Sequence, residues 1–194
     1  LASETAFNVN EVEALYELFR QLSSSILDDG LIDKEEFVLA LCDGGKKNFM
    51  AEKLFDVVDE KHDGHIEFPE FVHSLNIFHP DTPQSDKISF AFKLYDVRST
   101  GYIERNGLKK MILATLSETG SSLSDEQLDA ILDRTLEEGE LKEEGKMDIQ
   151  EWEQMVSKCP SLIHNMTIPY LRGGITLAFP SFIIDTRVEE SDLI

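Results

Sequence analysis

Four glycines recur along the chain in nearly the same surroundings, and that repeat limits the fold more than any other feature. They read Asp29-Gly30-Leu31-Ile32, Asp63-Gly64-His65-Ile66, Thr100-Gly101-Tyr102-Ile103 and Glu144-Gly145-Lys146-Met147. Two residues past each glycine lies an apolar side chain. In three copies a glutamate follows four residues later (Glu36, Glu70, Glu151), with an aromatic after it (Phe37, Phe71, Trp152). A fixed unit used several times is the signature of one supersecondary element repeated. Apolar residues at helical spacing flank the copies: Val12, Leu15, Phe19 and Leu22; Ile88, Phe92 and Tyr95; Leu128, Leu132 and Leu136. Asn10 with Glu13 predicts the start of the first of these helices, and Ser124 with Gln127 the start of the last. No alternating run is long enough for a proper sheet. The predicted class is all-α: helix, short acidic loop, helix, four times.

The ion that such a unit suits follows from coordination chemistry. Calcium takes about six to eight oxygen ligands in a flexible cage, supplied by a loop that turns back on itself. A glycine at loop position six permits that turn, because it adopts positive φ without steric cost. The apolar residue at position eight pairs with the neighbouring loop in a short β-bridge, so the units come in twos. A glutamate at position twelve offers both carboxylate oxygens from the start of the exiting helix. These are EF-hands, and four in-phase copies predict two paired lobes that take Ca2+. Residues 1–80 form the first pair, 81–159 the second, and 160–194 a C-terminal helix and extended tail.

The four loops differ in their ligands. The second, 59–70, carries Asp59, Asp63, Glu67 and Glu70 at positions one, five, nine and twelve, with the His65 carbonyl at seven. Lys61 at position three is a defect, since an ammonium has no lone pair to give. The fourth, 140–151, carries Glu140, Glu144, Asp148 and Glu151, with Lys146 at position seven. Glutamates at one and five set each carboxylate a methylene too far out, and Lys142 repeats the position-three defect; weakened binding is expected. The third, 96–107, keeps Asp96, Thr100, Tyr102 and Glu104 but has Arg98 at three and Gly107 at twelve, so its site is expected weak or lost. The first works as a cage only if lengthened to 14 residues, 23–36. Carbonyls of Ser23, Ile26 and Leu31 would then act with the carboxylates of Asp28 and Glu36. The residues alone leave open whether that loop binds.

Charge narrows the class of partner. There are 38 acidic residues against 18 basic ones, a net charge of −20. Such a surface repels nucleic acid and anionic lipid and attracts cations and basic peptides. Acidity serves solubility equally well, so it is the placement of the acids in the loops that decides. Cys42 and Cys159 have no paired spacing, which excludes a disulfide framework and fits reduced thiols in the cytoplasm. No apolar run approaches the roughly 18 residues of a membrane span. Plasma-membrane association would need a lipidated N-terminus ahead of Leu1. The five histidines (His62, His65, His73, His79, His164) make no catalytic or zinc spacing, and no phosphate-binding glycine loop is present, so no enzyme is expected.

At the level of motifs the chain resembles the plant calcineurin B-like calcium sensors. The likeness rests on Val12-Glu13-Ala14-Leu15-Tyr16-Glu17-Leu18-Phe19, the 23–36 loop, Asn76-Ile77-Phe78-His79-Pro80 and Gly101-Tyr102-Ile103-Glu104-Arg105. It continues in Asn165-Met166-Thr167-Ile168-Pro169-Tyr170-Leu171 and Phe179-Pro180-Ser181-Phe182, the most specific motif. It covers essentially the whole chain and looks closest to the salt-tolerance branch. The resemblance implies a first loop that does bind calcium. It also implies a partner, the calcineurin B-like-interacting serine/threonine kinase, whose regulatory segment with an Asn-Ala-Phe motif lies as a helix in the sensor's groove. It further implies that Ser181 is phosphorylated by that kinase. Gly107, Glu140, Glu144 and the Gly173-Gly174 pair depart from the family pattern, which bears on calcium stoichiometry and on the tail.

Sensors of this kind act when the ion pulls the position-twelve glutamate, turns the exiting helix and exposes an apolar groove. Phe19, Phe37, Leu54, Phe55, Phe71, Leu75, Phe90, Phe92, Leu94 and Trp152 are the groove candidates, with ordinary core packing as the plain alternative. A segment at 162–168 could fill that groove when no partner is bound. Two rivals stand beside the kinase regulator. One is a calcineurin B-type phosphatase regulatory subunit, which would also grip a helix. The other is a passive calcium buffer, against which the damaged third loop speaks. A homodimer is also admitted.

Overall fold

A computed structural model describes residues 1–41, 49–79, 81–139, 141–143 and 145–164. These residues are mainly helical with very short strands, as an all-α chain of EF-hands requires. The chain forms two compact units, Leu1–Lys87 and Ile88–His164.

In the first unit, α1 (Val9–Leu22) and α2 (Lys34–Leu41) flank the first loop, and α3 (Phe49–Val58) and α4 (Phe68–Asn76) flank the second. The start of α1 corrects the expected cap at Asn10 and Glu13. Asn8 is the cap residue: its Oδ1 accepts from the Glu11 N–H at 3.0 Å, and its own N–H donates to Glu11 Oε2 at 2.8 Å. The same Asn-x-x-Glu pattern occurs at both registers, and the earlier one prevails beside a hydrophobic anchor. Phe7, just ahead of Asn8, is buried with its ring edge-on to His79 at 5.3 Å. Strands β1 (Ile32–Asp33) and β2 (His65–Ile66) pair antiparallel, Ile32 opposite Ile66, both wholly buried. An aromatic core holds the helices together. Phe19 of α1 packs on Phe68 and Phe71 of α4 at 5.4 and 5.5 Å, and Phe37 meets Phe55 at 5.6 Å.

Helix α5 (Gln84–Tyr95) leads into the second unit. There β3 (Ile103–Glu104) precedes α6 (Arg105–Thr119), followed by α7 (Asp125–Glu138), β4 (Lys146–Met147), α8 (Ile149–Lys158) and the short α9 (Ser161–His164). Ser124 and Gln127 form the reciprocal capping box that the sequence predicts for α7. Leu128, Leu132 and Leu136 make its buried stripe. Strands β3 and β4 pair antiparallel with Ile103 opposite Met147. Arg105 and Lys109, one turn apart on α6, face Asp129 and Asp133, one turn apart on α7. Half-exposed pairs of this kind add little stability singly, but they fix which faces of the two helices meet.

All ten groove candidates (Phe19, Phe37, Leu54, Phe55, Phe71, Leu75, Phe90, Phe92, Leu94 and Trp152) are buried here. A groove lined by them requires the helices to part. From residue 165 onward the tail, with Ser181 and most of the 162–168 segment, lies outside the described residues.

Candidate metal centres

Each loop is built around one sharp turn. Gly30, Gly64, Gly101 and Gly145 have φ of 77°, 86°, 82° and 75°, the left-handed region that the repeat demands at position six. His62 and Ser99, at position four of the second and third loops, share that region with φ of 54° and 52°. Two left-handed residues in three curl the backbone so that its N–H groups point inward.

In the second loop those amides converge on Asp59, which is buried. Its Oδ1 accepts from the Asp63 N–H at 3.2 Å and its Oδ2 from the Gly64 N–H at 2.9 Å. Asp63 in turn accepts from the His65 N–H at 3.1 Å. Glu70, also buried, closes the loop from α4: its two oxygens accept from the N–H groups of Lys61 at 3.3 Å and Glu67 at 3.0 Å. Three of the predicted acids, Asp59, Asp63 and Glu70 at positions one, five and twelve, are thus tied to amides of the loop. The donor set is all oxygen and suits a hard divalent cation.

The fourth loop repeats the closing bond. Glu151 accepts from the N–H groups of Lys142 at 2.6 Å and Asp148 at 2.8 Å, while Asp148 caps α8 by accepting from the Glu151 N–H at 2.9 Å. Glu140 and Glu144 lie outside the described residues. Lys146 donates its ammonium to Glu143 at 2.6 Å and sits 5.7 Å from the Tyr102 ring centroid of the paired loop. Its backbone belongs to β4, opposite Glu104.

The first loop uses its extra length differently. Glu36, 1% exposed, accepts from the N–H groups of Ile26 and Leu27, both at 3.0 Å, and of Asp33 at 3.2 Å. Ser23 is the buried C-cap of α1, its N–H bonded to the Phe19 carbonyl at 2.9 Å. Asp28 is exposed. Asp29 is a residue that the sequence reading passed over: it accepts from the Leu31 N–H at 3.0 Å, as Asp63 does from His65. Its place directly before the turn glycine was the signal for that role.

The third loop keeps the shape and spends its ligands internally. Asp96 is buried and accepts from the N–H groups of Thr100 at 2.9 Å and Gly101 at 2.7 Å. The Thr100 hydroxyl lies 3.3 Å from the Tyr102 carbonyl at position seven. Position twelve has no carboxylate, and a Cβ on Gly107 would sit 3.3 Å from the Tyr95 carbonyl oxygen and 3.4 Å from Val97 Cγ2. The glycine has let α6 settle onto the end of α5. These residues do not fit a calcium cage. Gly107→Glu is expected to lower stability in chelator by about 1 kcal/mol, because a backbone carbonyl must give way, and to add one calcium-binding event. An unchanged calcium count by titration calorimetry would mean that Arg98 and the Tyr102 contact close the loop unaided.

One more feature joins the three 12-residue loops. The cation at position three meets the acid at position nine each time: Lys61 with Glu67 at 2.6 Å, Arg98 with Glu104 at 3.3 Å and Lys142 with Asp148 at 2.8 Å. Lys61 also lies 3.9 Å from Glu70. Donation of a hydrogen bond to Glu67 raises the Lys61 pKa, and donation to Asp148 raises the Lys142 pKa. Lys142 reciprocally holds Asp148 below the usual carboxylate range. Among the described residues no three acidic, histidine or cysteine side chains converge as a ready-made cage. The acids are instead tied to loop amides and to these cations.

Loops closed in this way and paired two by two define an EF-hand protein whose cation is Ca2+. The chain belongs to the calcineurin B-like family. It is 45% identical to calcineurin B-like protein 5 of Arabidopsis thaliana over 184 residues, 94% of this chain and 90% of that protein. The calcineurin B protein of Schizosaccharomyces pombe is 33% identical over 157 residues, 81% of this chain and 86% of its own length. Its counterpart from Yarrowia lipolytica is 35% identical over 152 residues, 78% of this chain and 84% of its own length. No family model matches the chain. These relatives assign the family and not the salt-tolerance branch within it.

Proposed function

We propose that the chain is a calcium sensor that grips the regulatory helix of a serine/threonine protein kinase and so activates or localises it. The observation that carries this reading is the double attachment of the position-twelve glutamates. Glu36, Glu70 and Glu151 stand in the first turns of α2, α4 and α8, and both oxygens of each are bonded to amides of the preceding loop. An ion that draws the carboxylate inward therefore draws the helix with it. The next residue of each helix is a buried core aromatic, Phe37, Phe71 or Trp152. Rotation of the helix thus moves the apolar interior directly, and an amphipathic helix is the ligand that such an opened interior takes. The net charge of −20 favours a basic one.

The Arabidopsis relative supports a kinase partner through its family, and the calcineurin B proteins of the two yeasts support the phosphatase alternative. One experiment separates them. A kinase regulatory peptide with the Asn-Ala-Phe motif and a helix from the catalytic chain of a phosphatase are titrated against the full chain, with calcium and with chelator. The kinase peptide is expected to bind at least about tenfold tighter with calcium, and tighter than the phosphatase helix. The reverse order would replace the kinase reading, and calcium-independent binding of both would remove the sensor role. Phosphorylation at Ser181 and a cytoplasmic location, with membrane association only if a lipidated N-terminus precedes Leu1, belong to the same proposal.

A further inference from the structure

We propose that Lys61 and Lys142 are built-in counter-ions that hold the loop acids before calcium arrives and set the calcium level at which the second and fourth loops respond. The sequence marks position three only as a missing ligand. The geometry adds an occupant with a charge. In each 12-residue loop that cation bridges to the position-nine acid, six residues on, at 2.6, 3.3 and 2.8 Å. The second loop shows the consequence in most detail: the Lys61 ammonium lies between Glu67 and Glu70, two of the oxygen donors that calcium requires.

An ammonium or guanidinium donates hydrogen bonds and cannot coordinate a metal. It therefore competes with calcium for the same oxygens, and its charge also repels the incoming ion. Lys61 and Glu67 are each about half exposed (49% and 45%), so the pair is weak enough to be exchanged for a divalent ion. The first loop provides an internal contrast. Its single basic residue is Lys34, which turns away to Asp56 on α3 at 2.7 Å. The first loop thus responds at lower calcium than the second. The inference rests on the reading of these loops as calcium sites.

The decisive variant is Lys61→Met, which removes the charge without adding a ligand. A loop that merely lacks a donor binds calcium equally well with lysine or methionine. A loop held by a counter-ion binds tighter with methionine, by roughly tenfold for one charge removed at a few ångströms in a high effective dielectric. Titration of the full chain is followed by NMR at the Gly64 amide, which donates to Asp59 at 2.9 Å and so reports on the second loop alone. In chelator the same variant is expected to melt at lower temperature, because the acids lose their partner. Equal affinity in the two proteins overturns the inference, as does an unmoved Gly64 signal in both. A signal that moves only in the variant supports it in its strongest form. Failure of the calcium reading itself is seen separately, at the Ile26 and Leu27 amides of the first loop, which Lys61→Met leaves untouched.

Discussion

Glu36→Ala is expected to lower the stability of the calcium-free protein by about 2–3 kcal/mol and to abolish binding at the first loop. The carboxylate is 1% exposed and accepts three backbone hydrogen bonds, from Ile26, Leu27 and Asp33. A hydrogen bond to an ionised group contributes about 1.5–3 kcal/mol net. Ile26 and Leu27 are 50% and 56% exposed, so their amides recover water when the carboxylate is gone, and the net loss falls well below the sum. Glu36→Gln separates stability from binding. One amide oxygen still accepts, so the loss in chelator is about 1 kcal/mol. The bidentate negative charge is gone, however, and calcium affinity at that loop falls on the order of a hundredfold. Denaturant titration in chelator measures the first effect and calorimetry the second. Unchanged calcium heats for Glu36→Gln would mean that the lengthened loop is no site.

The features most legible in the sequence were those with a one-residue physical cause. A positive φ selects glycine, so Gly30, Gly64, Gly101 and Gly145 marked their turns directly. The apolar residue two places on could only face its counterpart, and Ile32 meets Ile66 as Ile103 meets Met147. Features that depend on how the chain wraps were harder to read. The cap of α1 fits two registers, and burial of Phe7 decides for Asn8. The absent carboxylate at Gly107 was readable, but not the approach of that backbone to the Tyr95 carbonyl, which makes its repair costly. The lack of a lone pair on Lys61 was readable too. Its pairing with Glu67 depends on a loop that folds residue three against residue nine, which the turn at Gly64 helps to bring about.

Trp152→Ala is expected to cost about 3–5 kcal/mol in the second unit, the range for deleting a buried aromatic. The indole is 3% exposed and packs on the Tyr95 ring at 5.4 Å. Its Nε1–H donates to the Ile88 carbonyl at 3.0 Å, a bond added to a carbonyl inside α5, and the variant also loses it. Trp152→Phe keeps most of the volume and loses the hydrogen bond, for about 1 kcal/mol; denaturant midpoints order the three proteins. The same side chain tests the groove. It directly follows Glu151, so an ion that moves Glu151 inward must turn the indole relative to Tyr95 and Ile88. Trp152 is the single tryptophan of the chain, and its emission reports that turn without any label. Calcium with the kinase peptide is expected to shift the emission, whereas peptide in chelator leaves it in place. Emission unchanged under both conditions would keep Trp152 in the core throughout and confine the groove to residues farther from the ion.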